Sequence, residues 1–358
     1  MTSRTRTPSP DTPARVTIRD VARAAGVSVG TASRALNRSG PVSEAALQAV
    51  ERAAKALAYA PDPIAQSMRT GTSGVVGLLV SDLANPLYAR IITAVEARLQ
   101  REGYAMVVGN THNDKAQEEL MVDLFRRRRV DGLILGPCET ERPDYLAQIS
   151  RDLAVVAMDR DFGAQGSGVH VEHARGSYEA TRYLLDLGHT RIALMTSDGA
   201  LRPGRERISG YRKALEERGL TVDTALVRSR RSAMDLSFSD ALALLSAKDR
   251  PTAFICLGTR ILSGVLQAMK QTGHRMPQDV SLICVGDSDL AQLYTPAITA
   301  IDWDLEAVGT AAAEMLLRGI GGGSGADDAK AAAGREIRLG TRVVLRESCA
   351  PPSHGGRT

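Results

Sequence analysis

A short stretch near the N-terminus, GVSVGTASRALNRSG at residues 26–40, concentrates side chains that could do chemistry. It holds three serines, a threonine, two arginines and an asparagine, but no acidic residue. Its first five residues match the G-x-S-x-G pattern of hydrolase nucleophiles, but such a serine must follow a buried strand, and the preceding DVARAA has the apolar spacing of a helix. Hydroxyl, amide and guanidinium groups without acids suit contacts with the phosphates and bases of a nucleic acid instead.

Three short helices are predicted to position this stretch. Thr17 and Asp20 have the spacing of a capping box, Ser28 can cap a second helix, and Ser43 can cap a third. Gly26 ends the first helix. A helix, a short turn with glycine and a second helix form the helix-turn-helix plan, in which the second helix enters the major groove of DNA.

The charge distribution separates this N-terminal module from the rest of the chain. The 358 residues are 43% hydrophobic and 24% charged, with a net charge of +4. Residues 1–70 hold ten Lys/Arg against five Asp/Glu, which leaves the remainder at −1. A basic module on a near-neutral body is typical of a polyanion-binding unit joined to a unit with another task. Because no run of 18 apolar residues and no hydrophobic signal segment occurs, we expect a soluble cytoplasmic protein without a membrane partner.

The remaining polar segments are predicted to be tails and linkers. Residues 1–14 and 349–358 are expected to be tails, the first of them disordered. In the linker at 61–73, Asp62 and Pro63 can start a helix, which is too short to be stable unless it packs against something. The glycine-rich run at 321–334 is predicted to be a flexible surface loop.

From residue 74 onward, apolar strands alternate with amphipathic helices. This alternation predicts two lobes with parallel sheets flanked by helices, and ligands of such lobes bind at the carboxyl ends of the strands. The predicted strands lie at 75–80, 104–108, 132–135, 154–158, 191–195, 253–257, 280–285 and 341–346.

The sequence predicts neither a metal site nor a cofactor. The four cysteines are scattered, without a C-x-x-C pair, and are expected to be buried thiols. His170 and His173 are not expected to share a zinc ion with Glu172. Three classes of function remain: a ligand-responsive DNA-binding regulator, an α/β enzyme and a transport-type binding protein. We favour the regulator, since an enzyme would need an acid–base pair or nucleotide motif, and a transport protein would need a signal peptide and no basic head.

The chain resembles the LacI/GalR family of bacterial transcription regulators from Val16 to Cys349. Family motifs occur in order and at the family's spacing: VTIRDVARAAGVSVGTASRALN, PDPIAQSMRTGTSGVVGLLVSDLANPLY, RRVDGLIL, DR at 159–160, LGHTRIAL, MPQDVS, TPAIT and VLRESC. The resemblance implies a DNA-binding head at 15–60, a hinge helix at 61–70 and an effector-binding, dimerising domain at 74–348. That domain resembles periplasmic binding proteins, and the chain would cross between its lobes near 171–174, 301–304 and 334–337.

The resemblance also implies contacts with operator DNA. Phosphate contacts would come from Ser28, Thr31 and Ser33, and base contacts from Val29, Gly30 and Arg34. Thr17 and Asn37 complete this predicted set in the head. Met68 stands where the family usually inserts a leucine into the minor groove, and methionine can also wedge a base step. The predicted partner is a pseudo-palindromic operator bound by a homodimer.

For the effector, the resemblance implies a pocket that departs from the family pattern. The residues assigned to it are Leu87, Tyr88, Asp159, Arg160, Arg207, Thr259, Arg260, Asp287 and Trp303. For several of them a structural role stays open: Tyr88 and Trp303 could be core residues, and Asp159 could pair with Arg160 or Arg207. Thr259 and Arg260 follow a strand where the family usually has Asn-Asp, and Val171-Glu172-His173 replaces Val-Asp-Asn.

The pocket composition predicts the class of effector. Arginines remain while an acid is lost, which favours an anionic sugar acid or phosphorylated sugar over a neutral sugar. The regulator would then be a repressor of a carbohydrate or sugar-acid operon. A purine or other metabolite is the alternative.

Overall fold

The computed structural model describes residues 16–60, 71–138, 143–161, 166–230, 237–321 and 335–353. The chain divides into two compact units, Met1–Ser73 and Gly74–Thr358. The tail predicted at 1–14, the hinge helix predicted at 61–70 and nearly all of the loop predicted at 321–334 lie outside the described residues.

The first unit contains three helices, α1 (Ile18–Ala25), α2 (Val29–Asn37) and α3 (Glu44–Ala56). Their N-termini have the predicted caps: the Thr17 backbone N–H donates to the Asp20 carboxylate at 3.0 Å, and the Ser28 and Ser43 hydroxyls accept amide hydrogen bonds. Gly26 ends α1 with φ of 65°, a left-handed conformation that suits glycine. Small apolar residues fill the core between the helices: Val21, Ala22, Ala32, Ala35, Val50 and Ala53.

The second unit consists of two lobes, each built on one six-stranded sheet. The strands of lobe 1 are β1 (Val75–Val80), β2 (Ala105–Asn110), β3 (Gly132–Leu135), β4 (Ala154–Met158), β5 (Ser167–Val171) and β11 (Glu336–Leu339). Its helices are α4 (Pro86–Gln100), α5 (Lys115–Arg127), α6 (Pro143–Asp152) and α12 (Leu305–Gly321). The strand order is β11-β5-β4-β3-β1-β2, and all five pairings are parallel.

Lobe 2 repeats this plan with one antiparallel edge. Its strands are β6 (Ile192–Ser197), β7 (Val227–Arg230), β8 (Ala253–Leu257), β9 (Ser281–Val285), β10 (Thr299–Asp302) and β12 (Arg342–Val344). Its helices are α7 (His173–Asp186), α8 (Arg202–Glu216), α9 (Phe238–Leu245), α10 (Arg260–Thr272) and α11 (Asp289–Leu293). The order is β12-β10-β9-β8-β6-β7, and only the β10–β12 pairing is antiparallel.

The chain passes between the lobes at three places. The first crossing follows β5 at residue 172, and the second follows β10 at 303–304, both inside the predicted windows. The third crossing was predicted near 334–337. This prediction is wrong, because residues 336–339 form β11, which pairs with β5 in lobe 1. The chain crosses only afterwards, at 340–341, before β12 pairs with β10 in lobe 2.

The four cysteines are free thiols, three of them buried, as their scattered positions predicted. Among the described residues, no helix is both long and apolar enough to cross a membrane.

Helices α7 and α8 pack so closely that one glycine decides their separation. A Cβ atom built on Gly210 of α8 would overlap the carbonyl oxygen of Ala174 in α7 and lie 3.0 Å from the amide nitrogen of Tyr178. Both neighbours are backbone atoms, so no side-chain rotation can relieve the overlap. The helix pair therefore requires glycine at position 210.

We predict that Gly210→Ala destabilises the second unit by about 1–3 kcal/mol or more, because the helices must separate to admit one methyl group. Urea unfolding measures this change. Gly321→Ala is the matched control, since nothing lies within 4 Å of a Cβ at the end of α12. Equal stability of the two variants would contradict the packing argument.

Candidate functional site

Two surfaces carry the residues singled out in the sequence, and the first is the outward face of α2. Four of the predicted contact residues there are exposed, namely Ser28, Val29, Gly30 and Arg34, and three are half-buried, namely Thr31, Ser33 and Asn37. The side chain of Arg34 makes no hydrogen bond or ion pair with any described residue, and Val29 keeps 44% of its surface exposed. The face therefore offers a guanidinium group, an apolar side chain and hydroxyls to a partner.

Local hydrogen bonds hold the polar side chains of this face in place. The Ser28 hydroxyl accepts the Thr31 amide at 3.1 Å, and the Asn37 side-chain amide donates to the Ser33 carbonyl at 2.7 Å. The Thr17 hydroxyl donates to Asp20 at 2.7 Å, so it already serves the cap of α1. Met68, the remaining predicted DNA contact, lies outside the described residues.

Gly30 has no structural reason to lack a side chain. A Cβ there would meet only the Ser28 hydroxyl, at 3.7 Å, and glycine inside a helix costs roughly 1 kcal/mol relative to alanine. The missing side chain leaves the backbone of α2 open to close approach from outside the chain.

The second surface is a cavity between the two lobes, at the carboxyl ends of β1, β4, β6 and β8. Its volume is about 90 Å³. Lobe 1 contributes Asp159 and Arg160, which follow β4, and lobe 2 contributes Arg207 from α8. Asn85 caps α4 by accepting the Leu87 amide at 3.1 Å, and this cap directs Leu87 and Tyr88 to the cavity.

A chain of hydrogen bonds runs behind the cavity from lobe 1 to lobe 2. The Nε2 atom of His173 lies 2.8 Å from Asp159 Oδ2, and Arg207 Nη2 lies 3.1 Å from His173 Nδ1. A guanidinium can only donate, so Nδ1 accepts its hydrogen bond and Nε2 carries the proton given to Asp159. The edge of the imidazole packs against the Trp303 ring, with 5.5 Å between centroids and planes at 88°.

Burial and charge set the protonation of these three groups. Burial, reinforced by the Arg207 charge, lowers the pKa of His173, which is neutral at pH 7. Burial alone would raise the pKa of Asp159, but His173 together with Arg160 and Arg207 outweighs it and holds that pKa well below its usual range. Burial lowers the pKa of Arg207 to about 10, so the guanidinium stays charged. Asp159 also has φ of 54°, an uncommon backbone conformation that often marks functional positions.

The cavity holds more positive charge than negative. Arg160 and Arg207 are 7% and 5% exposed, and Asp159 is the one acid among the described residues that line it. The Nε–H groups of Arg160 and Arg207 have no hydrogen-bond partner among the described residues. Buried donors without an acceptor are costly, so an oxygen-rich anion in the cavity would satisfy both charge and hydrogen bonding.

Sequence comparisons agree with this division into a DNA-binding head and a cleft. Residues 17–62 match the family described as bacterial regulatory proteins, lacI family, and residues 181–349 match a periplasmic binding protein-like domain. The chain is 33% identical to the ribose operon repressor of Escherichia coli strain K12, over 85% of this chain and 93% of the relative. It is 31% identical to the HTH-type transcriptional repressor PurR of Vibrio vulnificus strain CMCP6, over 85% and 92%. The chain belongs to the lacI family of bacterial regulatory proteins.

A solved structure extends this likeness over both units. The lac repressor dimer bound to operator and the anti-inducer ONPF matches 94% of this chain and 99% of its own, with 25% identity and a TM-score of 0.82. The lacI-family protein described here is accordingly a DNA-binding transcriptional repressor with a periplasmic-binding-protein-like ligand domain.

The regulator brings seven of the nine predicted effector residues to the cavity: Leu87, Tyr88, Asp159, Arg160, Arg207, Thr259 and Trp303. Asp287 is not among them, because both its carboxylate oxygens pair with the Arg346 guanidinium, at 2.8 and 2.7 Å. Arg260 also lies outside the cavity, exposed at the first position of α10. The expectation that these two residues line the pocket is corrected.

Sequence reasoning missed the role of His173. The VHVEH segment was considered as a metal site and as a departure from the Val-Asp-Asn element of the effector pocket, but His173 was not assigned to the pocket. The predicted lobe crossing at 171–174 was the available signal, since a polar residue there can reach both lobes.

We predict that His173 makes the regulator less stable as the pH falls below about 6.5. The imidazole of His173 binds a proton more readily in the unfolded state than in the folded state. The free energy of unfolding therefore increases with pH through this range and decreases toward pH 5.5. His173→Asn keeps a donor and an acceptor but cannot titrate, so its stability should change less between pH 7.5 and 5.5 in urea unfolding.

His112→Asn is the control, because it removes an exposed imidazole from lobe 1. An unchanged pH dependence in His173→Asn would refute the assignment of a neutral, buried imidazole.

Proposed function

We propose that this repressor binds a pseudo-palindromic operator as a homodimer and responds to a small anionic effector, a sugar acid or phosphorylated sugar. The buried, incompletely paired guanidinium groups of Arg160 and Arg207 carry the effector assignment. The exposed, acid-free face of α2 carries the operator assignment. Since its target is DNA, the protein would act in the cytoplasm.

At the operator, the residues of α2 would divide their roles by chemistry. Arg34 can form two hydrogen bonds to a guanine edge, and Val29 can pack against a thymine methyl group. The absent side chain of Gly30 would let the helix backbone approach the groove closely. Ser28, Thr31 and Ser33 would donate to phosphates, with Asn37 and Thr17 at the margins, and Met68 is proposed to wedge a minor-groove step.

Exposed apolar residues on both lobes support the homodimer. On lobe 2, Leu293 is 82% exposed, and Leu290 and Tyr294 border a groove of about 540 Å³ along α10. On lobe 1, Val107 and Leu120 are 46% and 57% exposed. The apolar side chains beside this groove are candidates for an interface, and two copies of one chain would present one head to each operator half-site.

The effector would bind between the lobes. A compact cavity of about 90 Å³ favours a ligand with a single ring. A carboxylate or phosphate would accept hydrogen bonds from Arg160 of lobe 1 and Arg207 of lobe 2, while Trp303 and Tyr88 would flank the ring. A neutral sugar or a purine would leave the excess positive charge uncompensated.

We predict that Arg34→Ala weakens operator binding by about 1–3 kcal/mol per half-site. The probe is the best duplex selected from a random library, and binding is measured by fluorescence anisotropy. Arg52→Ala on α3 is the control, because it removes an exposed arginine from the same unit but outside α2. Equal binding by the Arg34 variant and the wild type would exclude this contact, and equal binding of one half-site and the full site would exclude the dimer.

We predict that an anion binds more tightly than its neutral counterpart, by about 1.5–3 kcal/mol for each hydrogen bond to a charged group. Isothermal titration compares gluconate with glucose and ribose 5-phosphate with ribose. Arg207→Gln should reduce the preference, because Arg160 alone then faces the anion, whereas Arg260→Gln, which removes an exposed arginine outside the cavity, should preserve it. Equal binding of the neutral members, or an unchanged preference in Arg207→Gln, would rule out the anionic effector.

A further inference from the structure

The end of lobe 1 that receives the linker from the head is rich in arginine. Strand N-termini and helix C-termini meet at this end, because every strand of the sheet runs parallel. The backbone amide of Gly74, the first residue of the second unit, donates to Asp131 Oδ2 at 2.7 Å, and the Asp131 amide donates to the Val75 carbonyl at 2.8 Å. The linker therefore enters beside the segment that joins α5 to β3.

That segment contains four consecutive arginines, Arg126 to Arg129, at the C-terminal end of α5. Arg101 follows α4, and Arg151 lies in the last turn of α6, at the same end of the lobe. We call the arginine face the set of exposed residues Arg101, Arg127, Arg128, Arg129 and Arg151.

Several acids at this end are already engaged by other groups. Arg126 pairs with Asp152 at 2.9 Å, and Arg98 pairs with Glu102 at 2.9 Å and with Glu314 at 3.5 Å. None of the five residues of the arginine face forms an ion pair with any described residue.

The fold gives no reason to collect these charges. One cation near a helix C-terminus stabilises it by about 0.3–1 kcal/mol, and further like charges nearby repel each other. A run of unpaired guanidinium groups gains free energy only when an anion approaches.

We propose that the arginine face contacts the phosphate backbone of the duplex DNA to which the head is bound. The inference rests on DNA binding by the head. Residues 61–73 span at most about 45 Å when fully extended, whereas two helical turns of DNA measure about 70 Å, so a duplex bound by the head is long enough to reach the arginine face. Duplex DNA carries one negative charge per roughly 1.7 Å of its axis, and guanidinium groups form paired hydrogen bonds with phosphate oxygens.

The test compares two variants with the same change in net charge. The first is Arg127→Gln, Arg128→Gln and Arg129→Gln. The control replaces Arg212, Lys213 and Lys248, which are exposed on lobe 2, with glutamine. Affinity for the library-selected duplex, extended with unrelated flanks to about five helical turns, is measured over a range of salt concentrations, together with a scrambled duplex of equal length.

We expect the arginine-face variant to bind both duplexes at least tenfold more weakly than the control at low salt. The slope of log K against log salt should fall by about 1.8 if one phosphate contact is lost from each subunit, since each contact contributes about 0.9. The ratio of the affinities for the selected and the scrambled duplex should stay unchanged, because phosphate contacts carry no sequence information.

Equal slopes of log K against log salt for the two triple variants would overturn the proposal. Equal losses of affinity in the two variants would also overturn it, because they would mean that net charge alone matters. Arg101→Gln with Arg151→Gln, two positions in other elements, gives a second measurement if the triple variant does not fold. Failure of the wild type to prefer the selected duplex would instead refute sequence-specific binding by the head.

Discussion

The hydrogen-bonded chain Asp159–His173–Arg207 is the interaction on which the cleft depends. Asp159 ends a strand of lobe 1, Arg207 belongs to a helix of lobe 2, and His173 begins the helix that follows the first crossing. A neutral imidazole can donate to the carboxylate through one ring nitrogen and accept from the guanidinium through the other. Loss of His173 would leave the Asp159 carboxylate and the buried Arg207 guanidinium each short of one hydrogen bond, and an unsatisfied buried group typically costs about 1–3 kcal/mol.

The hydrogen bonds among Asp159, His173 and Arg207 also connect the relative position of the two lobes with the charges that line the cavity. Arg160 comes from lobe 1 and Arg207 from lobe 2, so an anion held by both would favour the arrangement in which they converge. A ligand shifts a conformational equilibrium only by its difference in affinity for the two states. A ligand bound by one lobe alone would have no such difference, and the division of the two arginines between lobes therefore suits an effector-controlled protein.

The sequence predicted the architecture well where patterns are local. The caps at Ser28 and Ser43 and the apolar runs of β1 and β8 could be read directly, because each depends on neighbouring residues. β5, β7, β10 and β11 were missed as strands, because none of them contains more than two consecutive apolar residues. Because β11 was not predicted, the third crossing was placed too early in the sequence.

The cavity was predicted less completely, because its details depend on distant contacts. Asp287 was assigned to the pocket, yet its partner Arg346 lies 59 residues away in sequence, and no local pattern shows that pair. His173 escaped notice because its two partners come from different lobes. Asp159, Arg160 and Arg207 were found, since they belong to motifs with fixed positions along the chain.

The pairing of β11 with β5 has a consequence for synthesis of the chain. Glu336 lies beside Gly168 in the sheet, so the outer strand of lobe 1 is made long after its neighbour. While lobe 2 is being translated, β5 exposes a row of unpaired backbone groups, which can pair with strands of other chains. A ribosome stalled before residue 336 would release a polypeptide with an open sheet edge, a form more prone to aggregation than the finished repressor.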